Sequence, residues 1–509
     1  MKYRNVRLAA MAVALGLIAA ACGDSSGTGT SATTTASTAD SRAATTSTLA
    51  KNTASDTGVT ETTIKVAILQ SDLSGLVKAG AIKGVPEDAA QGNARRITYY
   101  LDEWNKAGGI NGRTFTSQLI TWNPADPKTY ATACQQIIDA KAFMVISGVG
   151  FPADSISCIT NDGKTQFMGI DAVSSKQAKE LGPNWIGLAP PGAASARAGA
   201  EALVKDPNLL PKNAKVAVLR SDFDFATDAF TEIDKVLKAA NVNVVFSEPI
   251  KTVNLPTADA NKNVVLAVEQ VKAAGANYII DTMPFPNFGV FPPEATKSGL
   301  DLRYAIIEIS SGMCAAFSAG QLPAQVNGAP CVTHWDNVRL DTNGATKTDS
   351  PFEAQCRKDF EATYATADSI GKGYPAIVKT NPGVPYPGLK DGTGKQLDMD
   401  QSYFECDQMN IVKTGITGAG ANLTKKTFQD AVFKQGTYDA AGLAGGKGTL
   451  SASKTWLATN LQQVVVTANP DGFKGGADTN GLYQGKCLSP LSCFRTVPNS
   501  VTPLTYSLN

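Results

Sequence analysis

The feature that most narrows the folds open to this chain is a repeated alternation of short β-branched runs with amphipathic stretches. Thr63–Gln70 is apolar and β-branched and stops at Ser71-Asp-Leu-Ser-Gly75, which predicts a buried strand and then a loop. Ala89–Lys106 has helical periodicity and is stopped by Gly108-Gly109. Asn111-Gly112 then turns the chain into a strand over Thr114–Trp122. A helix over Pro127–Ala140, a strand over Phe143–Ser147, a helix over Asp154–Asp162 and a strand over Gln166–Ile170 complete a first round. A second round has helices at Ala193–Leu203, Ala226–Ala240 and Asn263–Ala274. Its strands are Lys215–Arg220, Asn243–Phe246, Tyr278–Asp281 and Tyr304–Ile309. Strand–helix alternation with short, glycine-marked turns implies parallel, doubly wound sheets, and two rounds imply two similar lobes. The fold class expected is therefore α/β, with two doubly wound lobes of mostly parallel sheet.

Beyond residue 312 the pattern is less regular. Glu353–Tyr364, Ser402–Thr414 and Lys426–Lys434 read as helices and Gln462–Thr467 as a strand. Gly371–Gly394 is dense in proline and glycine and reads as a surface insertion.

The first residues are an address. Lys2, Arg4 and Arg7 precede an apolar stretch, Leu8–Ala21, whose 14 residues are too few to span a bilayer. It ends in Leu17-Ile-Ala-Ala-Ala-Cys22, a pattern that resembles a bacterial lipobox, with Ala19 where leucine is commoner. Residues 1–21 are thus expected to be a signal peptide and Cys22 a lipidated N-terminus, with an ordinary secretory signal as the alternative. Losing three basic residues takes the net charge from +1 to −2. Asp24–Thr60 holds 19 Ser or Thr in 37 residues and has little to bury, so residues 22–60 are expected to be a disordered tether.

Eight cysteines remain after Cys22: Cys134, Cys158, Cys314, Cys331, Cys356, Cys406, Cys487 and Cys493. An even number in an exported chain reads as a disulfide framework, with 105 formal connectivities. Pairing sequence neighbours is the simplest: 134–158, 314–331, 356–406 and 487–493. No C-x-x-C occurs. Lys plus Arg is 46 and Asp plus Glu is 45, which leaves no electrostatic footprint for nucleic acid. The one histidine, His334, excludes His-rich metal sites and would have to carry any Ser-His-Asp triad.

Asn105-Lys-Ala-Gly-Gly-Ile-Asn-Gly-Arg113 is the most specific string in the chain. With the preceding strand and its Ser71–Gly75 loop, it resembles the start of type I periplasmic binding proteins, the branched-chain amino-acid substrate-binding components of ABC transporters. Their Asn-x-x-Gly-Gly-Ile-x-Gly-Arg turn is matched residue for residue. The resemblance covers roughly residues 60–310 and continues weakly through Tyr403-Phe-Glu-Cys406. It implies a first-lobe disulfide spaced like Cys134–Cys158. The motif itself is a turn device: Gly108 caps the helix and Asn111-Gly112 permits positive φ, so no ligand contact is assigned to it.

Two lobes joined by a hinge would hold a ligand between the carboxyl ends of their strands. That rule, with the resemblance, selects Ser74, Phe151, Asp154, Asp171 and Ala172 from the first lobe. From the second it selects Asp222, Phe223 and Asp281. In the family the loop matching Gly148–Asp154 is serine-rich and holds a substrate carboxylate. Here Phe151 and Asp171 imply an apolar or aromatic solute with a donor or cationic group. The expected division is 61–187 plus 315–455 for one lobe and 188–314 plus 456–509 for the other. Crossings are expected near Leu181–Ala189, Ser310–Ala315 and Lys454–Asn460.

Two rival classes were weighed on the same residues. Gly148-Val-Gly-Phe-Pro-Ala153 fits G-x-G-x-x-A after a strand, and Asp171 ends the next one, as in a dinucleotide site. The fingerprint usually opens a domain, however, and the signal carries no twin arginine. A hydrolase would need His334, which lies beside a cysteine in Cys331-Val-Thr-His-Trp335, and no G-x-S-x-G elbow is present. The expectation is a non-enzymatic, monomeric solute-binding lipoprotein on the extracytoplasmic face of a bacterial membrane, with no cofactor and no metal. It would deliver a small molecule (an amino acid, an amide or a related, aromatic solute) to the permease subunits of an ABC transporter. A sensor or scaffold of the same fold is the alternative.

Overall fold

The computed structural model describes residues 51–72, 90–124, 126, 128–148, 150–170, 172–252, 257–310, 314, 324–326, 328–336, 341–343, 347–364, 389–390, 396–397, 403–466 and 494–508. The signal segment with Cys22, and Ser74, Asp171, Cys487, Cys493 and most of Gly371–Gly394, lie outside the described residues.

The first sheet is built from β1 (Thr63–Ser71), β2 (Thr114–Trp122), β3 (Met144–Ser147), β4 (Gln166–Gly169) and β5 (Trp185–Gly187). Between them run α1 (Ala90–Lys106), α2 (Lys128–Ala140), α3 (Ala153–Ser157), which continues into a π turn over Cys158–Asp162, and α4 (Ser175–Leu181). The order is β2-β1-β3-β4-β5 and every pairing is parallel. Parallel strands buried on both faces need apolar residues at nearly every position, and β3 and β4 are buried throughout. Ile64, Val66 and Ile68 face α1, while Ala67 and Leu69 join Ile137 and Ile156 on the opposite face.

The second sheet follows with α5 (Gly192–Lys205), β6 (Lys215–Leu219), α6 (Asp224–Ala239), β7 (Asn243–Phe246), α7 (Thr257–Ala273) and β8 (Tyr278–Asp281). The short helices α8 (Phe285–Phe288) and α9 (Phe291–Lys297) lead to β9 (Arg303–Ile307) and then β10 (Pro330–Thr333). After α10 (Pro351–Tyr364), α11 (Phe404–Ala419), α12 (Lys425–Gln435) and the hairpin β11 (Thr437–Asp439) and β12 (Lys447–Thr449), the chain returns as β13 (Asn460–Val466), β14 (Phe494–Thr496) and β15 (Thr502–Pro503). The order is β14-β13-β10-β9-β8-β6-β7, with β15 also paired to β13. The strands from β6 to β10 are parallel, and β13 lies antiparallel between β10 and β14.

Met409, Val412 and Ile416 of α11 and Phe428 of α12 complete the core on the α1 face of the first sheet. The Asn105–Arg113 turn makes this docking possible. Asn105 exchanges two side-chain hydrogen bonds with the backbone of Phe115 (2.6 and 3.0 Å). Gly109 (φ +83°) passes so close to Arg113 that a Cβ would sit 2.0 Å from its carbonyl oxygen. Arg113, fully buried, donates to the carbonyls of Thr53, Thr60, Gly420 and Ala421. The motif is thus a backbone clamp.

Three expectations change here. Residues 51–60, read as part of a disordered tether, lie against the body: Arg113 takes two of their carbonyls, and Asp56 pairs with Lys425 at 2.7 Å. Hydrogen bonds and an ion pair hold most of this Ser/Thr-rich segment, and only Val59 of it enters the core, so hydrophobicity gave little sign of it. Second, β10 belongs to the second sheet, because Cys331 pairs in register with Ile306. The crossing expected at Ser310–Ala315 therefore falls at His334–Asp336, where Trp335 bridges Leu443 and Asp336 N–H donates to Gly442 (2.8 Å). A division that assigns 315–455 to the first lobe misplaces this strand. Third, the C-terminal tail also joins the two sheets. Leu504 packs against core clusters of both, and Leu508 against the first-sheet core.

The crossings at Gly187–Leu188 and Thr455–Ala458 run side by side, Gly187 N–H donating to Thr455 and Leu457 N–H to Gly187. Disulfides join Cys134 to Cys158, Cys314 to Cys331 and Cys356 to Cys406, with Cα separations of 6.3, 6.1 and 5.7 Å. Among the described residues no helix is long and apolar enough to cross a membrane.

Candidate functional site

In each sheet the strand order reverses once, between β1 and β3 in the first and between β6 and β8 in the second. A crevice opens at the carboxyl ends of the strands flanking such a reversal. At the first, Gln70 near the end of β1 follows Leu69, which pairs with Ser147, the last residue of β3. Gln70 Oε1 accepts the Ala94 N–H of α1 (3.1 Å), which leaves its buried Nε2 without a partner among the described residues. Gln408 of α11 donates to Ser147 O (2.8 Å), and its buried Oε1 is likewise unpartnered. At the second reversal, Ser221 Oγ and Asp281 Oδ2 are buried and have no partner among the described residues. Asp281 Oδ1 accepts the Met283 N–H (3.1 Å). Burial pushes its carboxyl well above the ordinary carboxylate range, so the neutral acid is favoured. Both reversal points therefore carry buried polar atoms with spare hydrogen-bonding capacity.

An ion pair that sequence reasoning missed backs the first crevice. Arg96 of α1 makes a two-pronged contact with Glu405 of α11 (2.9 and 2.8 Å), and both side chains are almost wholly buried. Arg96 also donates to Asn93 Oδ1 (2.8 Å), and Asn93 Nδ2 donates to the carbonyl of Gly148. Glu405, Arg96 and Asn93 thus fix the loop after β3 in series. Their sequence separation of 309 residues left no local signal.

A Cβ on Gly148 would lie 2.7 Å from Asn93 Cβ, so this glycine makes room for Asn93 of α1. His334 is buried, with Nδ1 3.4 Å from Ser195 Oγ of α5. Burial lowers its pKa to about 3, so it is a neutral core side chain.

The residues selected from sequence are placed as follows. Phe151 is 4% exposed and packs edge-on against Trp122 (5.4 Å) and Tyr130 (6.3 Å), as part of the first-sheet core. Asp154, exposed on α3, accepts from Gln177 Nε2 (2.6 Å), and Gln177 completes the capping box of Ser174 at the start of α4. Ala172 is half-buried in the loop leading to that cap. Asp222 accepts from Thr252 N–H (2.8 Å), and Phe223 stacks on Phe225 (5.4 Å). The loops after β4 and before α6 lead to a direct contact between the two layers, Ser175 with Asp228 of α6 (2.7 Å). Of the selected residues that are described, Asp281 alone is fully buried with an oxygen that has no partner among the described residues.

The sequence matches the family described as "Periplasmic binding protein" over residues 63–371, more than half of the chain. No curated protein matches it. Among solved structures it is similar to a fatty acid ABC transporter substrate-binding protein from Thermomonospora curvata, with a TM-score of 0.58 and 15% identity, covering 89% of this chain and 97% of that one. It is also similar to a leucine-, isoleucine-, valine-, threonine- and alanine-binding protein from Brucella ovis in its closed conformation (TM-score 0.56, 11% identity, 88% and 97% covered). A solute-binding protein of an ABC transporter from Rhodopseudomonas palustris, in complex with 3,4-dihydroxybenzoic acid, has a TM-score of 0.55 at 13% identity, with 87% and 98% covered.

Proposed function

Because this chain belongs to the periplasmic binding protein family, a family of solute-binding proteins with a type I α/β fold, we propose that it captures a small polar solute between its two sheets and delivers it to an ABC transporter. The observation that carries this reading is the set of buried, unpartnered polar atoms at the two reversal points: Gln70 Nε2, Gln408 Oε1, Ser221 Oγ and Asp281 Oδ2. Leaving such a group unpaired costs about 1–3 kcal/mol, which a solute's own donors and acceptors would offset. The set mixes donors and acceptors. It suits an amino acid, an amide or a hydroxylated aromatic solute better than a purely apolar one. Amino acids and a dihydroxybenzoic acid are the solutes named for the Brucella and Rhodopseudomonas neighbours and fatty acids for the Thermomonospora one; each of these classes carries a polar group that such atoms could meet.

In this reading Cys22 carries the lipid, and the Ser/Thr-rich segment after it lifts a monomeric body off the extracytoplasmic face of the membrane. Permease subunits are the partner. A solute bound to both sheets favours the closed form by its differential affinity.

A thermal-shift screen of the mature protein against amino acids, amides, aromatic acids and steroid-like compounds is the test. A hit should raise the melting temperature by mass action and contract the protein in solution scattering. A tight ligand that leaves both the scattering curve and a Gln70→Ala, Asp281→Ala pair of variants at wild-type values would overturn the site. Cys22→Ala should shed the protein from the membrane, and a processed variant that stays attached would refute the anchor.

A further inference from the structure

We infer that Asp228, Ser175 and Tyr506 form a latch between the layers of the two sheets, and that Asp228 and Tyr506 are positioning residues that set how far the protein stays closed before a solute arrives. The inference rests on the proposed closure of the two sheets on a solute, a two-sheet clamp. Ser175 is the first residue of α4, whose helix packs on the first sheet through Ala178 and Leu181. Asp228 lies on α6, whose neighbouring Ala226 and Ala229 are buried in the second-sheet core. Asp228 Oδ2 accepts both the Ser175 N–H and the Ser175 Oγ–H, each at 2.7 Å.

The third partner follows from proton count. A serine hydroxyl has one hydrogen. Because Ser175 spends it on Asp228, the 2.7 Å contact between Ser175 Oγ and Tyr506 has the tyrosine hydroxyl as donor. The order is therefore Tyr506 O–H to Ser175, and Ser175 O–H to the Asp228 carboxylate. Hydrogen bonds to an ionised acceptor are roughly twice as strong as neutral ones, and those in series polarise one another.

Two features make this a device rather than a chance contact. Ser175 is rigid, because the Ser174–Gln177 capping box locks the first turn of α4, and Asp154 holds Gln177 in turn. Tyr506 lies on the tail that itself joins the sheets. Thr502–Pro503 pairs with β13, Leu504 N–H donates to Thr459 O (2.8 Å), and Leu508 reaches the first-sheet core. Separating the layers would strip the Asp228 carboxylate of both Ser175 donors and pull the strap off one core. The latch also ends the loop that begins at Ala172, so a solute seated on that loop would act on the same element.

The latch itself is tested without a ligand. Spin labels carried on non-cysteine amino acids would replace Glu180 of α4 and Lys235 of α6, both exposed, in the full mature chain. Pulsed dipolar spectroscopy then reads the distance between α4 and α6. The wild type should give mainly one short distance. Asp228→Ala should raise the ratio of long to short distances at least about tenfold, since two bonds to a charged oxygen are lost. Tyr506→Phe, which keeps the ring, and a chain ending at Val501 should shift it in the same direction. Asp228→Asn, which keeps one acceptor, should fall between. Circular dichroism and melting must match the wild type in at least Tyr506→Phe. Unchanged distances in Asp228→Ala and in the truncated chain would refute the latch. If scattering still contracts on adding a screening hit, the clamp stands without the latch; a single distance in every variant with no contraction by any hit ends both.

Discussion

The Arg96–Glu405 pair offers the sharpest test of how the first sheet and α11 are held together. The perturbation is Glu405→Leu. The pair is two-pronged (2.9 and 2.8 Å), and the side chains are 5% and 1% exposed. Removing the carboxylate leaves a buried guanidinium without its counter-charge, which costs about 3–5 kcal/mol. The lower end is expected, because Arg96 keeps its bond to Asn93 and its position over the Phe360 ring (5.3 Å). The double variant Arg96→Met, Glu405→Leu removes both charges and replaces them with apolar groups of similar length. It should recover to within about 1 kcal/mol of the wild type, since desolvation of the pair is relieved along with its attraction. Urea unfolding with the disulfides intact measures all four members of the cycle, and the slope with denaturant should not change. A Glu405→Leu variant as stable as the wild type would refute the reasoning. So would a double variant as unstable as the sum of the two single ones.

Three further outcomes are expected. Burial pushes the Asp407 carboxyl up to about 7, with Glu353 and Glu405 adding to the rise against the opposing N–H bonds of Ala441 and Gly442. The native state then holds a proton that the unfolded chain releases near pH 4, so this group's contribution is present at low pH and is lost as pH rises to about 7. The stability of the wild type relative to Asp407→Asn should fall across that window; a difference that does not vary with pH would show Asp407 ionised throughout. Gly109→Ala should cost more than about 2 kcal/mol, because φ is +83° and the new Cβ meets the Arg113 backbone at 2.0 Å; melting compared with Gly108→Ala, which meets nothing within 4 Å, isolates the clash. Replacing Cys134 and Cys158 together by alanine should cost about 3–4 kcal/mol by chain entropy for a separation of 24 residues, checked by denaturation against the wild type with its disulfides intact.

What was legible in the sequence was local. β8 spans Tyr278–Asp281 as its apolar run implies, because a buried parallel strand records its burial residue by residue. The Asn105–Arg113 turn could be read because positive φ at Gly108, Gly109 and Gly112 demands glycine whatever surrounds it. Tertiary structure alone decided the rest. Phe151, an aromatic in a cleft loop by sequence, is drawn into the core by Trp122 and Tyr130, because an apolar ring next to two others loses more water by packing inward. Short β10 carries too few residues to show which sheet it joins, and only its register with Ile306 settles it. Glu405 and Arg96, Ser175 and Asp228, and Arg113 and the carbonyl of Thr53 are charged or polar residues that look solvated in isolation. Their roles depend on partners distant in the chain, and a polar group declares its worth only when folding has removed the water around it.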